Sequence, residues 1–232
     1  MTFQCGILVF PDVQQLDLTG PYEVFASQPE TAVHLLWKER SAIVSSTGLS
    51  LAATMRLDEC PTLDVLCVPG GAGINALMQD AEVLDFVRAQ ARKTRYVTSV
   101  CTGALVLGAA GLLKGRRATT HWLAHDFLAS CGAIPVSGRV VRDGNLITAG
   151  GVTAGVDFGL TVVAELAGQQ EAEAIQLALE YAPEPPFKSG TPEEAPLAAV
   201  EAVRERMRRT RAAREAIIAK LLGSEMAGGA VV

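Results

Sequence analysis

Tyr96-Val97-Thr98-Ser99-Val100-Cys101-Thr102-Gly103 joins an apolar run to a helical pattern through a single cysteine. Arg95 to Val100 reads as a strand buried on both faces, and a helix is expected from Thr102 to about Leu113, ended by Gly115. A strand that turns sharply into a helix is the repeating unit of an open α/β sheet. The turn lies at the carboxyl end of the strands, where such sheets place their ligands. A thiol there also meets a helix N-terminus, whose unpaired N–H groups and partial positive charge favour the thiolate. Settings of that kind bring a thiol pKa to between about 3.5 and 7.5, so Cys101 is expected to be an activated nucleophile. Gly103 leaves room for a tight turn, which gives S-V-C-T-G the logic of a nucleophile elbow.

The same alternation extends outward in both directions. Phe3 to Phe10 reads as a strand, followed by a helix from about Leu18 to Ala26 and a strand at Val33 to Trp37. A hairpin is expected at Ala42 to Ser46 and Leu49 to Ala53, turning at Gly48. Leu63 to Val68 is a central strand that breaks at Pro69-Gly70-Gly71-Ala72-Gly73, with a helix from about Ala81 to Lys93. Beyond the elbow come a brief strand at Ala118 to Thr120 and a hairpin through Asp143-Gly144-Asn145. Helices follow at Thr153 to Leu166 and Ala172 to Tyr181. Alternation of this kind predicts an α/β fold with a mostly parallel sheet and helices on both faces. Residues 1–190 form one catalytic domain. The Pro-rich stretch Ala182 to Pro196 leads to a C-terminal extension, residues 191–232, whose amphipathic helix from Leu197 to about Leu222 packs on the domain or on a partner subunit.

Two further segments reach the rim that carries Cys101. The glycines of Pro69 to Gly73 let backbone N–H groups approach an anion or oxyanion, although a plain turn is the simpler reading. Asp17, in Leu16-Asp17-Leu18-Thr19-Gly20-Pro21, follows the first strand and reads alone as a helix cap. Three strand ends converging on one rim make a site the better account. Of the other cysteines, Cys67 and Cys5 read as inert core, and Cys60 and Cys131 as loop or helix-end residues. They are too few and too scattered for a disulfide framework. With His34, His121 and His125 they complete no zinc pattern, so no metal is expected.

With 49% hydrophobic and 19% charged residues, the 232-residue chain has a globular composition. A net charge of -5 argues against a protein built around nucleic-acid phosphates, and Glu201, Glu205 and Glu215 interrupt the arginines of the last helix. No apolar run is long enough to span a bilayer. No basic segment precedes Ile7-Leu8-Val9-Phe10, so a signal peptide is not expected and the cytoplasm is the expected compartment.

The P-G-G-A-G loop, the S-V-C-T-G elbow, the R-R-A-T-T-H-W segment (Arg116 to Trp122) and Leu179-Glu180-Tyr181-Ala182-Pro183 together resemble the ThiJ/PfpI superfamily. L-D-L-T-G-P around Asp17, T-S-V-C-T-G-A and R-D-G-N-L-I-T-A-G-G (Arg142 to Gly151) are similar to the isocyanide (isonitrile) hydratases in particular. The resemblance implies a flavodoxin-like three-layer sandwich, class I glutamine amidotransferase-like, and a homodimer. It implies a small-molecule isocyanide as substrate, hydrated to an N-substituted formamide without metal or organic cofactor. Cys101 would attack the isocyanide carbon and Asp17 would act as acid, then as base. Gly71, Ala72 and Thr102 would hold the substrate or a developing charge. His121 is expected beside the site, and three other readings stay open. A cysteine hydrolase or amidase would need His121 as its base, glyoxalase-type chemistry would share Cys101 and the acid, and a ligand-sensing domain related to AraC-type regulators would need neither.

Overall fold

The computed structural model describes residues 2–228, with side chains described to residue 221; residues 229–232 of the C-terminal extension lie outside the described residues. Strand β1 (Phe3–Leu8) leads through helix α1 (Gln15–Ala26) to β2 (Thr31–Trp37). A small hairpin, β3 (Ala42–Val44) and β4 (Ser50–Ala52), stands apart from the main sheet, and the short β5 (Met55–Arg56) returns to it. Next come β6 (Val65–Val68), the one-turn helix α2 (Ile74–Leu77) and α3 (Ala81–Ala91). Strand β7 (Tyr96–Val100) enters the elbow and helix α4 (Gly103–Ala109) leaves it. The chain then makes β8 (Arg117–Ala118), α5 (Phe127–Ser130), β9 (Ile134–Pro135), and the hairpin of β10 (Val140–Asp143) and β11 (Leu146–Ala149). It finishes with α6 (Ala154–Ala167), α7 (Gln169–Ala178) and α8 (Leu197–Gly228).

Seven strands form one sheet in the order β10-β11-β7-β6-β1-β2-β5, parallel throughout except for the β10–β11 pair. Strands β6, β7 and β11 are buried along their whole length, as strands covered on both faces must be. Helices α1, α6 and α7 pack together on one face, and α3 and α4 on the other, giving the three layers of an α/β sandwich. The α1–α6 contact is close because it is made of small residues. A Cβ on Gly155 would lie 2.9 Å from Pro21 Cδ, and one on Gly159 would lie 2.8 Å from Val24 Cβ. Helix α8 lies across α2, α5 and the turn at Trp122–Ala124 of the same chain.

Several boundaries differ from the sequence reading. The first strand stops at Leu8 rather than Phe10, although Val9 N–H still reaches Leu36 O at 3.0 Å. The helix after the elbow ends at Ala109 rather than Leu113, because Gly111 takes a positive φ of 79°. The strand expected at Ala118 to Thr120 is off the main sheet. Arg117–Ala118 pairs with Ile134–Pro135 instead, while Thr119 N–H bonds Thr148 Oγ1 at 2.9 Å. That detour brings Thr120 and His121 alongside the elbow.

Candidate active site

Parallel pairing of β7, β6 and β1 sets three chain turns side by side at one sheet edge. They are the elbow at Cys101, the loop Pro69–Gly73 and the first turn of α1. Cys101 itself takes the left-handed backbone, φ 54°, a conformation that non-glycine residues hold only where surrounding contacts enforce it. Those contacts are identifiable. Cys101 N–H donates to Ala149 O (3.1 Å) and Gly150 O (2.9 Å), and Thr120 Oγ1 donates to Cys101 O at 2.7 Å. Gly103, expected to ease the turn, serves close approach instead. A Cβ there would sit 2.0 Å from Val68 O, so only glycine lets α4 start this near to β6.

Asp17 has no exposed surface and faces the Cys101 thiol from the first turn of α1. Its Oδ2 accepts from Gly70 N–H at 3.0 Å, while its Oδ1 has no hydrogen-bond partner among the described residues. Burial raises the carboxyl to about 7, against the smaller pull of the Cys101 thiol and the Gly70 N–H. A carboxyl poised between its two protonation states at neutral pH is suited to moving protons.

The thiol departs from the sequence expectation. Cys101 is only 6% exposed, and burial first, then the Asp17 carboxylate, raise its pKa well above the ordinary thiol value. The Thr102 backbone N–H and hydroxyl pull the other way. The physical reason lies in relative size. A helix terminus contributes roughly 0.3–1 kcal/mol, less than one pKa unit, whereas full burial moves a group by up to about 3–5 units. Cys101 therefore rests as a neutral thiol beside a carboxyl that can take its proton.

The loop residues divide. Gly71 N–H donates to Thr102 Oγ1 at 3.1 Å, so its hydrogen is already engaged. Ala72 is exposed, and its N–H has no acceptor among the described residues. Thr102 links loop to elbow, its hydroxyl bonded to the Gly71 backbone rather than to Asp17. His121 is turned to its own chain: Nδ1 accepts from Leu123 N–H at 3.2 Å, and no hydrogen bond joins it to Cys101 among the described residues. Burial and the charge of Arg214 lower its pKa, so the ring is neutral with its proton on Nε2.

Sequence reasoning missed Arg214 and its partner Asn75, which close this rim. Arg214, from α8, is 4% exposed, with Nε on Asn75 Oδ1 (3.0 Å) and Nη2 on Gly71 O (3.4 Å). Its position was marked in the sequence, because Arg214 falls on the apolar stripe of α8, seven residues after Met207 and four before Ile218. A charge on a buried stripe is a signal in its own right. A cleft of about 650 Å³ lies further out, between α8 and the Trp122–Ala124 turn, and its lining includes Trp122, Asp126, Arg204 and Arg211 but neither Cys101 nor Asp17. Among the described residues no group of three or more His, Cys, Asp or Glu is gathered as a metal ion would require, and no helix is long and apolar enough to cross a membrane.

The fold has counterparts among known proteins. An isonitrile hydratase of Pseudomonas putida is 62% identical over 206 residues, covering 89% of this chain and 90% of that protein. The crystal structure of a ThiJ/PfpI family protein from Pseudomonas syringae superposes with a TM-score of 0.91 at 43% identity, covering 94% of this chain and 91% of that one. The transcriptional regulator GbdR of Pseudomonas aeruginosa is 32% identical over 146 residues, which is 61% of this chain but 39% of the regulator. A match to the DJ-1/PfpI family spans residues 5–165, from the first strand through the loop, the elbow and most of α6, and the chain belongs to that family.

Proposed function

We propose that this chain is an isonitrile hydratase, adding water to R–N≡C to give an N-substituted formamide. The observation that carries the reading is the 62% identity to the Pseudomonas putida isonitrile hydratase over nearly the whole of both chains. The chemistry of the rim supports it. An isocyanide carbon must receive a nucleophile and a proton, and the Cys101–Asp17 pair holds one of each.

In the first half-reaction the Cys101 sulfur bonds to the isocyanide carbon. The thiol proton passes through the Asp17 carboxyl to that same carbon, and the product is a thioimidate, R–N=CH–S–Cys101. Asp17 Oδ1, buried and free of any hydrogen-bond partner among the described residues, is the oxygen this reading gives to the transfer. In the second half-reaction the Asp17 carboxylate takes a proton from water, hydroxide adds to the thioimidate carbon, and the nitrogen is protonated. The C–S bond then breaks, the sulfur recovers its proton and R–NH–CHO leaves. One water is consumed and no net proton is gained or lost, so a neutral resting thiol is no obstacle. The pair acts as a unit that shares one proton. In this reading the backbone N–H groups of Ala72 and Thr102 steady the charge that develops.

The test is formamide production from an aromatic isocyanide by the purified chain and by three variants. Cys101→Ala abolishes turnover, and Asp17→Asn lowers it by at least about 100-fold, the range of a positioned acid–base group. His121→Ala retains most of the wild-type rate. Turnover that survives Cys101→Ala, or that depends on His121 as strongly as on Cys101, overturns the assignment in favour of a different chemistry. The homodimer implied by the resemblance belongs to the same reading and is read by sedimentation equilibrium.

A further inference from the structure

Arg214 is an arginine that the fold has no evident reason to bury. Its neighbour Arg211 shows what a structural arginine of α8 does, pairing both guanidinium nitrogens with Asp126 (2.5 and 3.0 Å) and stacking 4.4 Å over Phe127. Arg214 has no carboxylate partner among the described residues. It spends its hydrogen bonds instead on Asn75 Oδ1 and on the carbonyl of Gly71. Asn75 Nδ2 in turn reaches Thr210 O at 3.4 Å, so loop and helix are tied in both directions. Gly71 is the residue whose N–H holds the Thr102 hydroxyl, and Thr102 follows the nucleophile directly. A continuous chain of contacts therefore runs from α8 through the glycine loop to Cys101.

An uncompensated guanidinium in the interior costs several kcal/mol, and an apolar side chain of similar size is often neutral or better. We propose that Arg214 is a positioning residue for the reaction at Cys101, fixing the Pro69–Gly73 loop against the elbow and bringing a positive charge onto the loop that borders Cys101. The inference rests on the reading of Cys101 as nucleophile given above. Four groups bear on the sulfur or its neighbours: Asp17 from α1, the Thr102 N–H at the start of α4, Arg214 from α8, and His121, whose pKa is lowered by burial first and then by the same arginine. Of these, Asp17 opposes the thiolate, whereas Thr102 and Arg214 favour it. Arg214 touches no reacting atom. It acts through Gly71 and Thr102, and through its field.

The experiment compares Arg214→Met, Arg214→Lys and Asn75→Ala with wild type and with Arg209→Gln, an exposed arginine of the same helix. Two readouts are taken: steady-state hydration of an aromatic isocyanide, and the pH dependence of iodoacetamide alkylation at Cys101, followed by peptide mass spectrometry. Arg214→Met lowers kcat by about 10- to 100-fold with KM within about 3-fold, the effect of a misplaced group rather than a lost substrate contact. It also moves the alkylation midpoint upward by about one pH unit, because a nearby positive charge has gone. Arg214→Lys restores the midpoint but not the full kcat, and Asn75→Ala lowers kcat while leaving the midpoint in place. Arg209→Gln matches wild type. Wild-type kcat and midpoint in both Arg214 variants overturn the proposal, as does a fall in kcat that follows only a loss of folded protein. Should Arg214→Met not fold, Arg214→Lys and Asn75→Ala decide it by the same two readouts. The alkylation profile needs no isocyanide, so a chain that hydrates none still reports on Arg214.

Discussion

A carboxyl with no exposed surface and one unpaired oxygen is an expensive thing to build, and Asp17 shows why it is tolerated. Burial holds it at about 7, where the proposed cycle asks it to accept and return a proton. The cost has a measurable sign. The folded-state value stands above the unfolded value near 3.8, so the folded chain holds more protons between those two pH values. Its contribution is therefore favourable below about pH 4 and is lost as pH rises to about 7, beyond which the penalty is constant. Asp17→Asn removes that dependence. Urea unfolding of the two proteins across pH 4 to 8 shows the variant gaining about 2–4 kcal/mol on wild type, nearly all of it before pH 7. A difference that does not change with pH contradicts the buried, raised carboxyl. Comparing the two proteins cancels the opposite trend of carboxylates such as Asp58 and Asp143, which their arginine neighbours and backbone N–H groups hold below the usual range.

At the level of the elements, the site is a matter of how near α4 can start to β6. Gly103 sits where any side chain would meet Val68 O at 2.0 Å, and backbone oxygen cannot move aside as a flexible side chain could. Gly103→Ala therefore pushes the elbow off the sheet edge. The expected loss is about 1–3 kcal/mol of stability, with activity falling further than stability alone explains. Unchanged thermal unfolding would show that the contact has more slack than its geometry implies. The alternation of apolar runs and helical patterns sufficed to place β6, β7 and α4, because burial on both faces leaves an unbroken apolar signature. It also put Cys101 directly after such a strand and Asp17 early in the helix that follows the first one. It misled at Ala118 to Thr120, where a run that looks like a strand leaves the main sheet because Thr119 is drawn to Thr148 Oγ1. Nor could it show that the thiol is enclosed. A helix start is visible in a sequence, whereas the desolvation that outweighs it depends on what packs above.

For the molecule as a whole, the roof is what local patterns hid. Arg214 lies 113 positions after Cys101, and only folding brings α8 across the loop that holds Thr102. Its helix is anchored by Arg211 on Asp126 and by Ile218 in the core, so the far end of the chain completes a rim that the first half assembles. Isocyanides are slender at the reacting end, which the proposed reading requires of a ligand for a cysteine that keeps only 6% of its surface exposed. The central claim is that one proton-sharing pair makes a covalent bond to that carbon. Quenching wild-type protein with an aromatic isocyanide within a single turnover and weighing the intact chain tests it most directly. The account predicts a transient gain equal to one isocyanide, carried on the peptide that contains Cys101 and absent from Cys101→Ala. Formamide accumulating with no adduct at any time, or an adduct on another cysteine, would contradict it.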